Sequence, residues 1–188
     1  NLSEYKYNDS FWGINELWMQ YYNIIKTANA AIESLDLYAE NITNDNDMKN
    51  YKAYRGEVMF MRAYAYYRLV QAFGAVTILR DNNQTDLSRS TANAVNKYAL
   101  EDLQYGIDNM PRIRPNQSEH KGAVTAFSAE MLAAKFHLNM GNYAKVEELT
   151  NDIIEHGNFS LYPDFYQLWK IPGKLCDESI FECQMTDF

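Results

Sequence analysis

The sequence predicts a mostly all-α protein of tetratricopeptide-like helical repeats with short strand and loop insertions. Three observations carry this. Apolar residues recur at i, i+3, i+4 and i+7 along most of the 188 residues, the spacing of helices with one buried face. Helix breakers are scarce, with 8 Gly and 4 Pro, too few for a turn-rich β-sandwich. Two glycines that end helical patterns, Gly74 and Gly141, lie 67 residues apart (141 − 74), close to two ~34-residue tetratricopeptide units.

The first helix is expected near 11–38, carried by Ile14, Leu17, Trp18, Tyr21, Ile25, Ala28 and Ile32. The polar run "NITNDND" ends it and supplies Asp or Asn as the next N-cap. The second helix, near 47–73, contains "GEVMFMRAYAYYRLVQAFGAV", Gly56 to Val76, where only Glu57, Arg62, Arg68 and Gln71 interrupt an apolar run. A helix apolar nearly all round belongs between neighbours, not on a surface. Gly74 stops it, since glycine takes the left-handed C′ conformation without steric cost.

"AVTIL", 75–79, reads as a short strand and "RDNNQTD" as a loop. Ser90 or Thr91 caps a third helix near 91–110, ended by Pro111. After the linker "PRIRPNQSEH", helices are expected near 121–140 and 143–156, stopped by Gly141 and Gly157. Residues 157–188 read as irregular, with "SIFECQM" a short strand. In "AAKFHLNMGNYAKVEELTNDI", Ala134, His137, Gly141, Tyr143 and Val146 occupy tetratricopeptide positions, with Tyr143 expected to pack across the turn.

The net charge of −8 and the lack of a Lys/Arg cluster oppose phosphate-backbone binding, so no nucleic-acid partner is expected. They also give no reason for adsorption to anionic lipid. No segment reaches the ~18 apolar residues of a membrane-spanning helix. Cys176 and Cys183 read as a pair of reduced, half-buried thiols in preference to a disulfide.

His120, His137 and His156 lack metal-ligand spacing, and His137 reads as filling an aromatic helix position. Asp81, Asn83 and Thr85 imitate a calcium loop but lack its glycine at position 6 and glutamate at position 12, so a solvated turn is expected. Glu57 and Arg62 on the inner helix read as buried charge held by a partner, not as a catalytic acid. Nucleophile-elbow and phosphate-loop patterns are absent, and no cofactor is implied.

The inner helix also carries a resemblance. Gly56, Glu57, Phe60, Arg62 and Ala63 match the Gly-Glu-x-x-Phe-x-Arg-Ala core of the SusD/RagB family, followed by Leu69, Val70, Phe73, Gly74 and Val76. Trp18, Tyr22, Ile25 and Asn29 resemble the family's preceding helix. Arg89, Thr91 and Glu101-Asp102-Leu103 resemble its middle stretch, and "KGAVTAFSAEMLAAKFHLNMGNYAKV" and "ESIFECQ" its later blocks, in the same order. Thr77 stands where the family usually has Pro, and Val124 and Thr125 replace an Ala-rich stretch.

The resemblance implies a SusD-like α superhelix, with 1–188 forming the N-terminal, tetratricopeptide-like part of a longer protein. It implies a surface lipoprotein of the outer membrane, held by an upstream lipid anchor. Such a protein captures oligosaccharides, without cleaving them, for a SusC-like TonB-dependent transporter. A peptide-binding RagB-like protein and a generic tetratricopeptide adaptor are the alternatives. The family's ligand residues lie mostly on loops outside this stretch. The local ligand-binding candidates are Tyr5, Tyr7 and Trp12, aromatic residues in polar surroundings before the first helix, with packing on that helix as their competing role.

Overall fold

The computed structural model describes residues 11–185. Helix α1 spans Trp12–Ala39, α2 Asp45–Phe73, α3 Ala92–Asn109, α4 Ala126–Asn139 and α5 Tyr143–His156, with a single turn, α6, at Phe165–Leu168. Each long helix packs chiefly on its neighbours in sequence: α2 against α1 and α3, α4 against α3 and α5. This is the stacked helical arrangement of a repeat protein.

The starts follow local chemistry. Asn44 Oδ1 accepts from the Asp47 amide at 2.9 Å at the head of α2, and Thr91 Oγ1 accepts from the Ala94 amide at 3.2 Å at the head of α3. Gly74 ends α2 at φ +69°, and Gly141 turns the chain between α4 and α5 at φ +74°. Helix α4 begins at Ala126, not near 121, because Gly122 sits at φ +87°, outside helical space.

Small residues set the α2–α3 distance. A Cβ on Gly56 would lie 2.8 Å from Met110 Cγ and 3.3 Å from Gly106 Cα. Around this crossing, Phe60, Ala63, Tyr66 and Leu69 of α2 join Ile25, Val95, Ala99, Leu103, Leu132 and Phe136 in one core.

A charge is buried within that core. Arg62 donates to both carboxylate oxygens of Asp102 at 2.8 Å from Nε and Nη2, and from Nη1 to Asn29 Oδ1 at 2.8 Å. Three helices therefore meet at one guanidinium: α1 through Asn29, α2 through Arg62, α3 through Asp102. Arg62 also lies over the Tyr98 ring at 5.2 Å. Burial pushes the Asp102 carboxyl up, and the bidentate Arg62 contact opposes that push. Glu57, half-buried one turn away, is not the partner of Arg62; burial raises its pKa, opposed by His120.

Two expected strands do not form among the described residues. In 75–79 only an isolated bridge pairs Val76 with Ser90. Side chains take up much of this backbone instead: Tyr22 Oη donates to the Thr77 carbonyl at 2.8 Å, Asn29 Nδ2 to the Leu79 carbonyl at 3.1 Å, and the Leu79 amide to Tyr66 Oη at 2.8 Å. The 179–185 stretch forms no strand and bends at Ile180. It is held instead by Ser128 Oγ donating to the Ile180 carbonyl at 2.7 Å and by Phe181 edge-on to Phe60 at 5.1 Å.

Tyr143 is 69% exposed and does not pack across the α4–α5 turn; Asn142 makes that connection through its amide to the His137 carbonyl at 2.9 Å. Cys176 and Cys183 are free thiols, the first half-buried and the second exposed.

Two stability outcomes follow from this packing. Asp102→Ala leaves Arg62 buried without its counter-charge and should cost about 3–5 kcal/mol in urea unfolding. The double variant Arg62→Met/Asp102→Leu should recover most of that loss; a single-variant cost below about 1 kcal/mol would show that the ion pair does not hold the helices. Gly56→Leu forces a side chain into the α2–α3 crossing and should lower stability by about 1–3 kcal/mol, read by the same unfolding curve.

Candidate functional site

Tyr5 and Tyr7 lie outside the described residues. Trp12 opens α1 and is 74% exposed, touching the Phe11 ring at 5.7 Å. Its indole is therefore available to solvent rather than packed into the helix layer.

A larger feature lies further along α1. Between that helix and the 77–87 loop runs a groove of about 550 Å³. Trp18, Met19 and Tyr22 on α1 and Leu79 on the loop form its apolar wall, and Asn23, Lys26 and Asp81 stand among its polar groups. Trp18 is half-buried and fixed by Tyr22 at 4.7 Å and by Phe73, edge-on, at 5.0 Å.

The loop wall is anchored. Tyr22 Oη and Asn29 Nδ2 hold the Thr77 and Leu79 carbonyls, and Asn82 Nδ2 donates to the Lys26 carbonyl at 2.9 Å. Gln84 folds back to accept from the Arg80 amide at 3.0 Å and to donate to the Ile78 carbonyl at 2.9 Å. Burial holds the Tyr22 phenol above its ordinary pKa, outweighing its hydrogen bond to Thr77, so it stays a neutral donor. Asp81 Oδ1 accepts from the Asn83 amide at 2.8 Å, which makes the calcium-like alternation an Asx turn.

Sequence reasoning missed this groove. Asn23 and Lys26 look like solvated helix positions, and the loop that faces them lies more than 50 residues away in the chain. The available signal was the Asn/Asp/Gln-rich composition of "RDNNQTD" following a buried β-branched run.

Other polar clusters are structural. Arg112 bridges Glu130 of α4, at 2.5 Å, and Asp152 of α5, and lies 4.7 Å over the Phe127 ring. Burial raises the Glu130 pKa, opposed by Arg112. His137 is half-buried, with burial and then Lys145 holding its pKa below the ordinary value, and it faces Asn142. Among the described residues, no group of three His, Cys, Asp or Glu is placed to hold a metal ion, and no helix is long and apolar enough to cross a membrane.

Comparison with known proteins matches this helical layer. A SusD-like family model, described as starch-binding and associating with the outer membrane, matches residues 2–138. The SusD-like protein P2 of Formosa agariphila is 29% identical over 164 residues, covering 83% of this chain and 30% of that protein. Among solved structures, surface glycan-binding protein A from Bacteroides fluxus superposes with a TM-score of 0.76 at 26% identity, over 88% of this chain and 35% of that one. The protein of the same description from Bacteroides uniformis gives 0.76 and 26% over 88% and 37%. The chain thus spans about a third of the length of the curated relatives it matches, at 30% and 32%. Its helical repeat layer, its buried Arg62 signature helix and the family match over 2–138 together show that the chain belongs to the SusD-like family.

Proposed function

We propose that this chain is the helical part of a surface protein that binds glycans without cleaving them. The bound sugar passes to a SusC-like TonB-dependent transporter in the outer membrane, where an upstream lipid anchor holds the protein. The observation that carries this reading is family membership over 2–138. The two neighbours described as surface glycan-binding proteins support it.

In this reading α1–α5 act as scaffold and transporter-facing surface. Their long helices are tied by buried contacts, while α4 and α5 leave an apolar recess of about 320 Å³ walled by Met131, Leu138, Val146 and Ile154. Leu138 and Ile154 are largely exposed there, as expected of a surface that meets a protein. Trp12, with Tyr5 and Tyr7 on the segment before it, supplies stacking faces for sugar rings, and the exposure of Trp12 supports that role.

The test is calorimetry and a glycan array on the full-length protein beside residues 1–188, with product analysis of every sugar that binds. Binding of at least one oligosaccharide with no shortened product is the expected outcome. Shortened products would overturn the non-enzymatic reading. Binding of peptides in place of sugars would assign a peptide-uptake protein, and neither would leave the tetratricopeptide adaptor.

A further inference from the structure

The groove along α1 is shaped by contacts that leave its own polar groups unused. Among the described residues the side chains of Asn23 and Lys26 make no hydrogen bond or ion pair, and both residues are exposed. Asp81 uses one oxygen on its own turn, leaving the other for a ligand. The walls are already fixed by the Tyr22, Asn29 and Asn82 bonds to the opposing backbone, so a ligand entering it has little chain to order.

Composition indicates what fits. An indole and a thioether line one side, and an amide, an ammonium and a carboxylate stand on the rim. Lys26 and Asp81 cancel in charge, which favours a neutral ligand dense in hydroxyls over a phosphate or a polyanion. An apolar floor with a few converging donors and acceptors is the usual make-up of a small-ligand site, and pyranose rings have matching apolar faces and polar edges.

Helix geometry extends the site. Trp12, Met19, Asn23 and Lys26 are separated by 7, 4 and 3 residues, so they fall on one stripe of α1 at 3.6 residues per turn. From Trp12 to Lys26 that stripe runs about 21 Å at 1.5 Å per residue, longer than one sugar ring.

We propose that this groove is a glycan subsite for a neutral oligosaccharide. One ring lies against Trp18 and Met19, its hydroxyls meet Asn23, Lys26 and Asp81, and the chain continues along α1 towards Trp12. The assignment rests on the glycan-binding reading above and places part of that binding within the helical layer.

Calorimetry on the full-length protein, with malto-oligosaccharides, laminari-oligosaccharides and xyloglucan oligosaccharides as probes, tests it. Whichever probe binds the wild type should bind Asn23→Ala/Lys26→Ala about ten-fold more weakly, the loss expected for one or two hydrogen bonds. Thr27→Ala, on α1 but outside the groove, should stay within about two-fold, and both variants should melt with the wild type because the replaced side chains are exposed and unpartnered. Unchanged affinity in the double variant would overturn the subsite while leaving glycan binding intact. A wild type that binds none of the probes nor any array glycan would overturn both.

Discussion

A guanidinium removed from water in the middle of three helices needs every one of its partners in place, and the packing of this protein is arranged around that need. Arg62 reaches Asp102 and Asn29 at 2.8 Å, with each of its three nitrogens donating to one of them. An ion pair this deep is weak support for stability by itself, because desolvation offsets much of its attraction. Its effect is on geometry. It admits one rotation of α2 relative to α1 and α3, which a greasy inner helix with apolar residues on almost every side would not select alone. The close approach at Gly56 and Gly106 then fixes the distance between the helices that the ion pair has oriented.

The same node reaches the surface. Asn29 accepts from Arg62 with its oxygen and donates to the Leu79 carbonyl with its nitrogen. The segment after α2 therefore owes its position to side chains of α1 and α2, not to a sheet. Tyr22 and Tyr66 complete the arrangement from the same two helices. Its consequence is a wall facing α1, and the groove is the gap between them. Core charge, loop position and groove shape form one chain of cause.

Much of this could be read from the sequence, and the failures have physical reasons. The helices announced themselves through 3.6-residue periodicity, and Asn29, Arg62 and Asp102 each stood in a block of the family resemblance. Their meeting could not be read, because 33 and 40 residues separate the partners of Arg62 and no local pattern encodes the pairing. "AVTIL" has strand composition, yet apart from one bridge to Ser90 the backbone bonds it makes go to tyrosine, asparagine and glutamine side chains. Tyr143 fits a repeat template but faces solvent, since Asn142 already bridges the turn. The groove was invisible for a related reason: exposed Asn and Lys on a helix look the same whether they face open water or a cleft.

The claim that the core node positions the groove wall is tested most directly by amide hydrogen exchange on Asn29→Ala. The account predicts that the Leu79 amide, bonded to Tyr66 in the wild type, exchanges markedly faster together with its neighbours in 77–80, while amides of α4 and α5 keep their protection. Unchanged exchange at Leu79 in a variant that has lost this link would contradict the account, because the loop would then hold its place without the core.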